Sequence, residues 1–155
     1  RYPLSFNFWA KTTVSATFTS FIKRSLPAAN GSTLYDQGIN ILIDNSNSLG
    51  IRIDNAVAQN GAIYPTSPAI NDNNWHFMSV IIASNGTINL YVDGALTGSN
   101  TFGALNSSAG TFGFPSGNDG GLGTGQSSNV QMDDIRIYNR ALSAAEIMAL
   151  YNVTR

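Results

Sequence analysis

The sequence predicts an all-β domain, an antiparallel β-sandwich that ends in one short helix. Short runs of alternating apolar and polar residues recur along the chain, and clusters of Gly, Asn, Asp and Pro separate them, a spacing typical of sandwiches. Asn85-Gly86 and Asp93-Gly94 lie between neighbouring runs and indicate tight hairpins, because glycine accepts the positive φ that such turns need. After Asn139-Arg140 the period of two gives way to a helical pattern.

The alternating runs predict the strands in chain order. Their expected bounds are Leu4–Lys11, Thr17–Lys23, Gly38–Asp44, Leu49–Asn55, Trp75–Ala83, Thr87–Val92, Ala95–Ser99, Gly110–Phe114 and Gln131–Tyr138. In the first strand both faces are partly apolar, so Trp9 lies either under a cover or on an open face of a sheet. In Thr87–Val92, Tyr91 belongs to the wetter face. The glycine-rich segment from Pro115 to Ser128 has no period and is interpreted as a long loop.

A capping box predicts where the helix begins. Ser143 is followed three residues later by Glu146, and Leu142 and Ile147 have the spacing of a hydrophobic staple. The helix is therefore expected to run from about Ala144 to Tyr151. Glu146 is the only glutamate of the chain, and its position explains it as a helix cap.

Length and composition exclude several classes of function. The 155 residues suffice for a single domain, residues 1–155, with its own core. The net charge is -1 and no basic run occurs, so nucleic acid is not an expected partner. No apolar run approaches the roughly 20 residues that a bilayer requires, so membrane insertion is not expected. Only 11% of the residues are charged, and this uncharged polarity favours hydrogen bonding to neutral polar ligands.

Three stretches carry a family resemblance. They are Leu4–Lys11 with its Trp-x-Lys ending, Asn74–Val80 followed by the Tyr-Val-Asp-Gly hairpin, and Met132–Tyr151 with its strand and helix. In this order they resemble the laminin-G-like domains of the concanavalin A-like lectin/glucanase superfamily, particularly its bacterial branch. The resemblance implies a jelly roll of two curved antiparallel sheets with a short C-terminal helix.

The resemblance also implies an extracellular location, and the sequence departs from the family pattern at its N-terminus. Such domains are secreted or lie on the cell surface, commonly attached to polysaccharide-degrading enzymes, adhesins or surface proteins. Family members usually have a further N-terminal segment, with a strand that pairs near the last one, and this sequence begins without it. Either the parent chain was trimmed, or an edge beside Met132–Tyr138 is open to a protein partner or to self-association.

The residues argue against catalysis. Retaining glucanases of the superfamily use clustered carboxylates, whereas the best acid pair here, Asp133 and Asp134, is expected to leave opposite faces of a strand. The single histidine, His76, lies in a central strand and is interpreted as a hydrogen-bonded residue at the edge of the core. The chain is therefore predicted not to be an enzyme, with a glycoside hydrolase or polysaccharide lyase as the less favoured alternative.

Aromatic side chains supply the candidate carbohydrate site. Sugars stack on aromatic rings while polar side chains address their hydroxyls. The candidate stacking residues are Tyr64, the first choice because polar loop residues flank it, then Tyr35, Tyr91 and Trp9. Core positions are assigned to Phe6, Phe8, Phe18, Phe21, Phe77, Phe112, Phe114 and Trp75.

The resemblance also implies a calcium site. Superfamily jelly rolls often hold a structural Ca²⁺ ion near the last strand, and Asp133 matches the family's aspartate there. The alternative is that Asp133 accepts backbone amides or pairs with Arg136. No other cofactor is expected. The remaining aspartates Asp36, Asp44, Asp54, Asp72 and Asp119 are interpreted as turn caps.

Together these observations predict a non-catalytic extracellular recognition module. Its expected partner is a polysaccharide or other glycan, and its expected role is carbohydrate binding or adhesion within a larger secreted protein. The alternative is a structural or assembly domain that makes protein-protein contacts through an exposed sheet edge.

Overall fold

The computed structural model describes residues 3–15, 19–25, 38–54, 59–102, 111–113 and 130–155. These ranges contain ten strands and one helix. The elements are β1 (Leu4–Thr12), β2 (Thr19–Ser25), β3 (Gly38–Ile43), β4 (Leu49–Asp54), β5 (Gln59–Ile63), β6 (His76–Ile82), β7 (Thr87–Val92), β8 (Ala95–Thr101), β9 (Thr111–Gly113), β10 (Val130–Tyr138) and α1 (Ala144–Thr154).

Two five-stranded antiparallel sheets form the fold. The first has the strand order β10-β1-β6-β7-β8, and the second has the order β5-β4-β3-β2-β9. Strand β10 thus lies at an edge of the first sheet among the described strands. Strand β5 was missed by the sequence analysis, because Ile63 is its only large apolar residue and gives no alternation.

The main core lies between the two sheets. Alternate residues of β3, Ile39, Ile41 and Ile43, face alternate residues of β1, including Phe6 and Phe8. Each such side chain, fully removed from water, stabilises the fold by roughly 1.5–3 kcal/mol. The predicted core positions are confirmed for Phe6, Phe8, Phe21 and Phe77, whereas the side chains of Phe18, Phe112 and Phe114 lie outside the described residues.

A second apolar cluster lies on the outer face of the first sheet, beneath α1. The predicted staple residues Leu142 and Ile147 are both buried there, against Phe77 and Ile81. The capping box is also confirmed: the Ser143 side chain accepts a hydrogen bond from the backbone amide of Glu146, and the Glu146 side chain accepts one from the backbone amide of Ser143. The helix runs three residues further than predicted, to Thr154.

The hairpin turns agree with the sequence. Asp93 and Gly94 have φ values of 52° and 80°, as a two-residue turn with both central residues left-handed requires. Gly86 has a φ of 82° in the second predicted turn. A Cβ atom on Gly94 would lie 2.8 Å from Met148 Cε, so this turn also passes close beneath α1. The predicted loop from Pro115 to Ser128 lies outside the described residues.

A β-bulge in β10 corrects the simple alternation expected there. Asn7 pairs with Arg136 and Trp9 pairs with Asp133, so two residues of β10 oppose Phe8 alone. The bulge includes Asp134, whose φ is 48°. Because of it, the first half of β10 packs on the main core while its end packs on the outer cluster. Val130 and Met132 belong to the first contact and Tyr138 to the second.

Candidate functional site

A groove of about 470 Å³ opens on the outer face of the first sheet, at the end of α1. We call it the indole groove, because both tryptophans of the chain line it. Strands β1 and β10, the segment before β6, the β7–β8 turn and α1 all contribute to its wall. The lining residues are Trp9, Trp75, Asp93, Asp133, Asp134, Tyr151, Thr154 and Arg155.

Trp9 forms the inner wall of the groove. Its ring centroid lies 5.4 Å from that of Phe77 and 5.9 Å from that of Tyr151, within the range of favourable aromatic pairs. Its Nε1 donates to Thr154 Oγ1 at 2.9 Å, and that hydroxyl donates to the Leu150 carbonyl at 2.8 Å. These contacts fix the indole against α1, so the wall is preformed.

Trp75 forms the outer rim, and its predicted place in the core is wrong. Trp75 is 41% exposed, because it immediately precedes β6 and lies beyond the last residue pair of β6 and β7, Met78 with Val92. Asp72 holds the preceding segment by accepting the backbone N–H and side-chain N–H of Asn74, both at 2.9 Å. Asn73 N donates to Thr12 O at 3.1 Å. The polar run from Asn71 to Asn74 was the available sequence signal for a loop here.

Two neighbouring aspartates face the groove together. The sequence analysis placed Asp133 and Asp134 on opposite faces, but the bulge in β10 turns both toward the indole groove. Arg136 binds both oxygens of Asp134, with Nε and Nη2 each donating at 2.8 Å. Asp133 Oδ1 accepts the amide of Asp134 at 2.8 Å, which agrees with one of the two alternatives to calcium binding, whereas the expected pairing with Arg136 is made by Asp134 instead. Asp133 is exposed.

His76 links the segment that carries Trp75 to Asp93, which we call the floor of the groove. Its Nδ1 lies 2.8 Å from Asp93 Oδ2 and its Nε2 lies 3.1 Å from Asp72 Oδ1. Asp93 Oδ1 also accepts the amide of Phe77 at 2.8 Å. The hydrogen bond to Asp93, followed by the one to Asp72, raises the pKa of His76 although burial opposes this. The side chain is 14% exposed and agrees with the interpretation of a hydrogen-bonded residue at the edge of the core.

The bonds to Asn74 and His76 lower the pKa of Asp72 to about 2, with the side-chain bond to Asn74 the largest cause. This residue therefore caps its turn, as predicted. Asp44 does the same in the second sheet, where its Oδ1 accepts the amides of Ser46 at 2.7 Å and Ser48 at 3.0 Å. Asp36, Asp119 and the side chain of Asp54 lie outside the described residues.

Of the four predicted stacking residues, Trp9 lies in the groove. Tyr64 is 38% exposed, but it lies on the second sheet over Gly50, where a Cβ atom would come within 3.0 Å of its ring. Tyr91 was expected on a wetter face, and this is corrected: it is 8% exposed, because α1 covers that face of β7. Tyr35 lies outside the described residues.

The described side chains do not form a calcium cage. No group of three or more His, Cys, Asp or Glu residues in the described ranges is arranged to hold a metal ion. Arg136 occupies the nearest second carboxylate, that of Asp134, while calcium takes six to eight oxygen ligands. The calcium site at Asp133 stays a prediction from the resemblance. The described part of the chain also has no helix long and apolar enough to cross a membrane.

The fold is shared with known proteins. The family model Laminin_G_3, of the concanavalin A-like lectin/glucanases superfamily, matches residues 1–148. The CBM40 of Ruminococcus gnavus IT-sialidase, bound to alpha2,3 sialyllactose, is similar at 14% identity and TM-score 0.73, over 96% of this chain and 82% of that one. No curated protein matches the sequence.

Two toxin binding domains show the same likeness. That of botulinum neurotoxin DC, in complex with rat synaptotagmin II, is 18% identical at TM-score 0.71, over 98% of this chain and 36% of its own. The binding domain of Paraclostridial Mosquitocidal Protein 1 is 16% identical at TM-score 0.68, over 97% of this chain and 37% of its own. The chain thus spans little more than a third of these domains. At such identities the likeness concerns the fold, and it confirms the predicted jelly roll.

Proposed function

The chain belongs to the Laminin_G_3 family of the concanavalin A-like lectin/glucanases superfamily, and on this basis we propose that it is a non-catalytic extracellular recognition module. It binds polysaccharide, or mediates adhesion through a glycan, as part of a larger secreted protein. The single observation that carries this proposal is the indole groove, which is lined by the exposed Trp75 ring, by Trp9 and by the exposed Asp133 carboxylate.

The groove residues divide the work of binding a sugar. Trp75 offers a ring on which the apolar face of a sugar stacks. Asp133 accepts hydrogen bonds from sugar hydroxyls, and Arg155, whose guanidinium carbon lies 5.7 Å from the Tyr151 ring centroid, donates them. The groove volume of about 470 Å³ falls within the range of roughly 300–1,000 Å³ typical of ligand sites.

The charges favour a neutral glycan. Three carboxylates line the groove, those of Asp93, Asp133 and Asp134, against the single lining cation Arg155. Arg136 balances Asp134, which leaves Asp133 as the exposed acid that an acidic sugar would have to approach. Like charges at short range disfavour binding, so uronic, sialic and sulfated glycans are the weaker ligands.

Two of the acids that the structure describes, Asp134 and Glu146, are engaged in contacts that do not suit glycoside hydrolysis. A general acid must hold a proton, whereas the Arg136 fork binds both oxygens of Asp134. Glu146 binds Arg140 and Ser143, and the Arg140 bond, the largest cause, lowers its pKa to about 2. Glu146 is therefore held in the ionised form, and Arg136 occupies both oxygens of Asp134, which supports a binding role.

A glycan array with neutral and acidic polysaccharides, run with and without calcium, tests the proposal. We expect binding to neutral glycans, lost by about tenfold or more in Trp75→Ala, since stacking and burial of a large ring contribute well over 1 kcal/mol. Tyr64→Ala is the matched control, because it removes a similarly exposed ring from the other sheet. An array without any bound glycan, or equal binding by Trp75→Ala, would contradict the proposal.

The assembly alternative has one observation in its favour. On β10, which is an edge strand among the strands that the structure describes, the apolar residues Ile135 and Ile137 are 39% and 45% exposed. In this alternative a second copy pairs with β10 in an antiparallel manner. Analytical ultracentrifugation distinguishes the two: a concentration-dependent dimer that Ile137→Lys abolishes supports assembly, and a monomer at all concentrations excludes it.

A further inference from the structure

One histidine connects two segments of the groove that are separate in sequence. His76 contacts Asp72, which anchors the segment carrying Trp75, and Asp93, which itself lines the groove. The distances of 3.1 Å and 2.8 Å are those of hydrogen bonds on both ring nitrogens. We propose that His76 is a proton-controlled clamp: its charged form holds the Trp75 rim to Asp93, and its neutral form gives up the contact with Asp72 and so loosens the rim.

The two protonation states differ in what they can bind. An imidazolium donates from both nitrogens, so it satisfies both carboxylates at once. A neutral imidazole has one N–H, and its other nitrogen then presents a lone pair to a carboxylate oxygen. That second contact becomes repulsive, so deprotonation costs one of the two links.

The link to Asp72 is the one that breaks. Asp93 is held by the Phe77 amide at 2.8 Å, donates its own amide to Phe77 O at 2.8 Å and sits in a left-handed turn, so it stays in place. Asp72 is 46% exposed, and its other bonds are to Asn74 within its own turn. Once released from His76, the segment stays joined to β1 through Asn73 N and Thr12 O.

Among the described residues, the carboxylates of Asp72 and Asp93 are the charged groups that contact His76. Asp72 faces it from the segment before β6, and Asp93 faces it from the β7–β8 turn. On β1 the residue paired with it is Ala10. From the end of α1, Arg155 lines the same groove as Asp93, with its guanidinium over Tyr151. The clamp therefore responds to the proton on His76 itself.

This inference rests on the proposed function for its consequence, which is that glycan binding weakens as pH rises. With the clamp closed, Trp75 is held in position to stack on a ligand, and ordering it on binding costs less. With the clamp open, the ligand must order the rim itself. We expect the affinity for a neutral glycan to fall about fivefold between the two states, the low end of typical site coupling.

Proton NMR tests the clamp without any ligand, because the chain has one histidine and two tryptophans. Over about pH 5.5–8.5, we expect the Trp75 indole N–H signal to shift with the same midpoint as the His76 ring signal. The Trp9 signal should shift less, since its N–H is bound to Thr154. Trp9→Phe identifies which signal is which.

Variants separate the clamp from a merely structural histidine. Asp72→Asn should lower the His76 midpoint and uncouple the Trp75 signal from it. Asp133→Asn is the matched control, since it removes a groove carboxylate that does not contact His76, and it should leave the coupling intact. A Trp75 signal that ignores the His76 midpoint in the wild type would overturn the clamp.

The clamp and the proposed function fail in different ways. Coupled NMR signals together with an array that binds no glycan would support the clamp and reject carbohydrate binding. Glycan affinity that does not change across the His76 midpoint would support carbohydrate binding and reject the clamp.

Discussion

Trp9 Nε1 donates a hydrogen bond to Thr154 Oγ1 at 2.9 Å, across 145 residues of sequence. This bond joins the first strand to the last turn of the helix, and Tyr151 packs on the same indole with a centroid distance of 5.9 Å. Trp9 and Thr154 thus close one end of the indole groove. Any change that loosens α1 is expected to act on the groove as well as on stability.

The first prediction concerns this bond. Trp9→Phe keeps an aromatic ring against Phe77 and Tyr151 but removes the N–H donor. We expect a loss of about 1 kcal/mol in the free energy of unfolding from the hydrogen bond alone, with more from the smaller ring. Urea unfolding measures it. Trp75→Phe, at an exposed site, is the control and should cost much less, so equal losses would contradict the geometry.

The second prediction tests the helix cap. Ser143→Ala removes the acceptor for the Glu146 amide and the hydroxyl that binds the Glu146 carboxylate at 3.0 Å. The free energy of unfolding should fall by about 1 kcal/mol. Ser143→Asn restores a capping side chain and should recover most of it. A Ser143→Ala protein with unchanged urea midpoint would show that α1 does not need its cap.

The third prediction concerns pH and stability. Since its bonds to Asp93 and Asp72 raise the pKa of folded His76, the protonated form stabilises the fold. This contribution is fully present below the unfolded pKa of about 6.5 and is lost as pH rises through the higher folded value. The melting temperature should therefore fall as pH rises above about 6.5, and His76→Gln should flatten this slope. A slope that persists in His76→Gln must come from another group.

How far the sequence predicted the structure depends on whether a feature is local. The turn at Asp93-Gly94 and the cap at Ser143 depend on neighbouring residues, and both were predicted correctly. The burial of Tyr91 depends on where α1 packs, and the exposure of Trp75 depends on where the pairing of β6 with β7 ends. Neither property can be predicted from the alternation of apolar and polar residues along a strand.

The bulge in β10 had the largest effect on the site. The run around Asp134 alternates well, yet two of its residues oppose Phe8, which only the pairing with β1 reveals. The bulge places Asp133 and Asp134 on one groove, so a pair dismissed from sequence became part of the candidate site. Of the stacking candidates that the structure describes, Trp9 is the one that lines the groove.

The fourth prediction tests the bulge. At Asp134 the φ of 48° suits Asp, Asn and Gly but strains a β-branched residue. Asp134→Val should reduce the free energy of unfolding by about 2 kcal/mol from the backbone strain. Asp134→Asn keeps the backbone preference and loses only the charged fork to Arg136, so it isolates the backbone part. Equal effects of the two substitutions would mean that the ion pair, rather than the bulge, carries the cost.

The last prediction concerns the choice of ligand. Asp133 is the groove carboxylate without a charged side-chain partner among the described residues, so its charge acts on the ligand directly. Asp133→Asn keeps the size and an acceptor oxygen but removes the charge. A hydrogen bond to a charged group contributes roughly 1.5–3 kcal/mol, so neutral glycans should bind to Asp133→Asn about tenfold or more weakly.

Asp133→Lys should lose neutral glycans and gain acidic ones, because it reverses the charge that repels acidic glycans. Calorimetric titration with a neutral and an acidic polysaccharide measures both effects, with Tyr64→Ala again as the control. If Asp133→Lys keeps the wild-type preference, the carboxylates do not choose the ligand, and the selectivity must come from the aromatic walls.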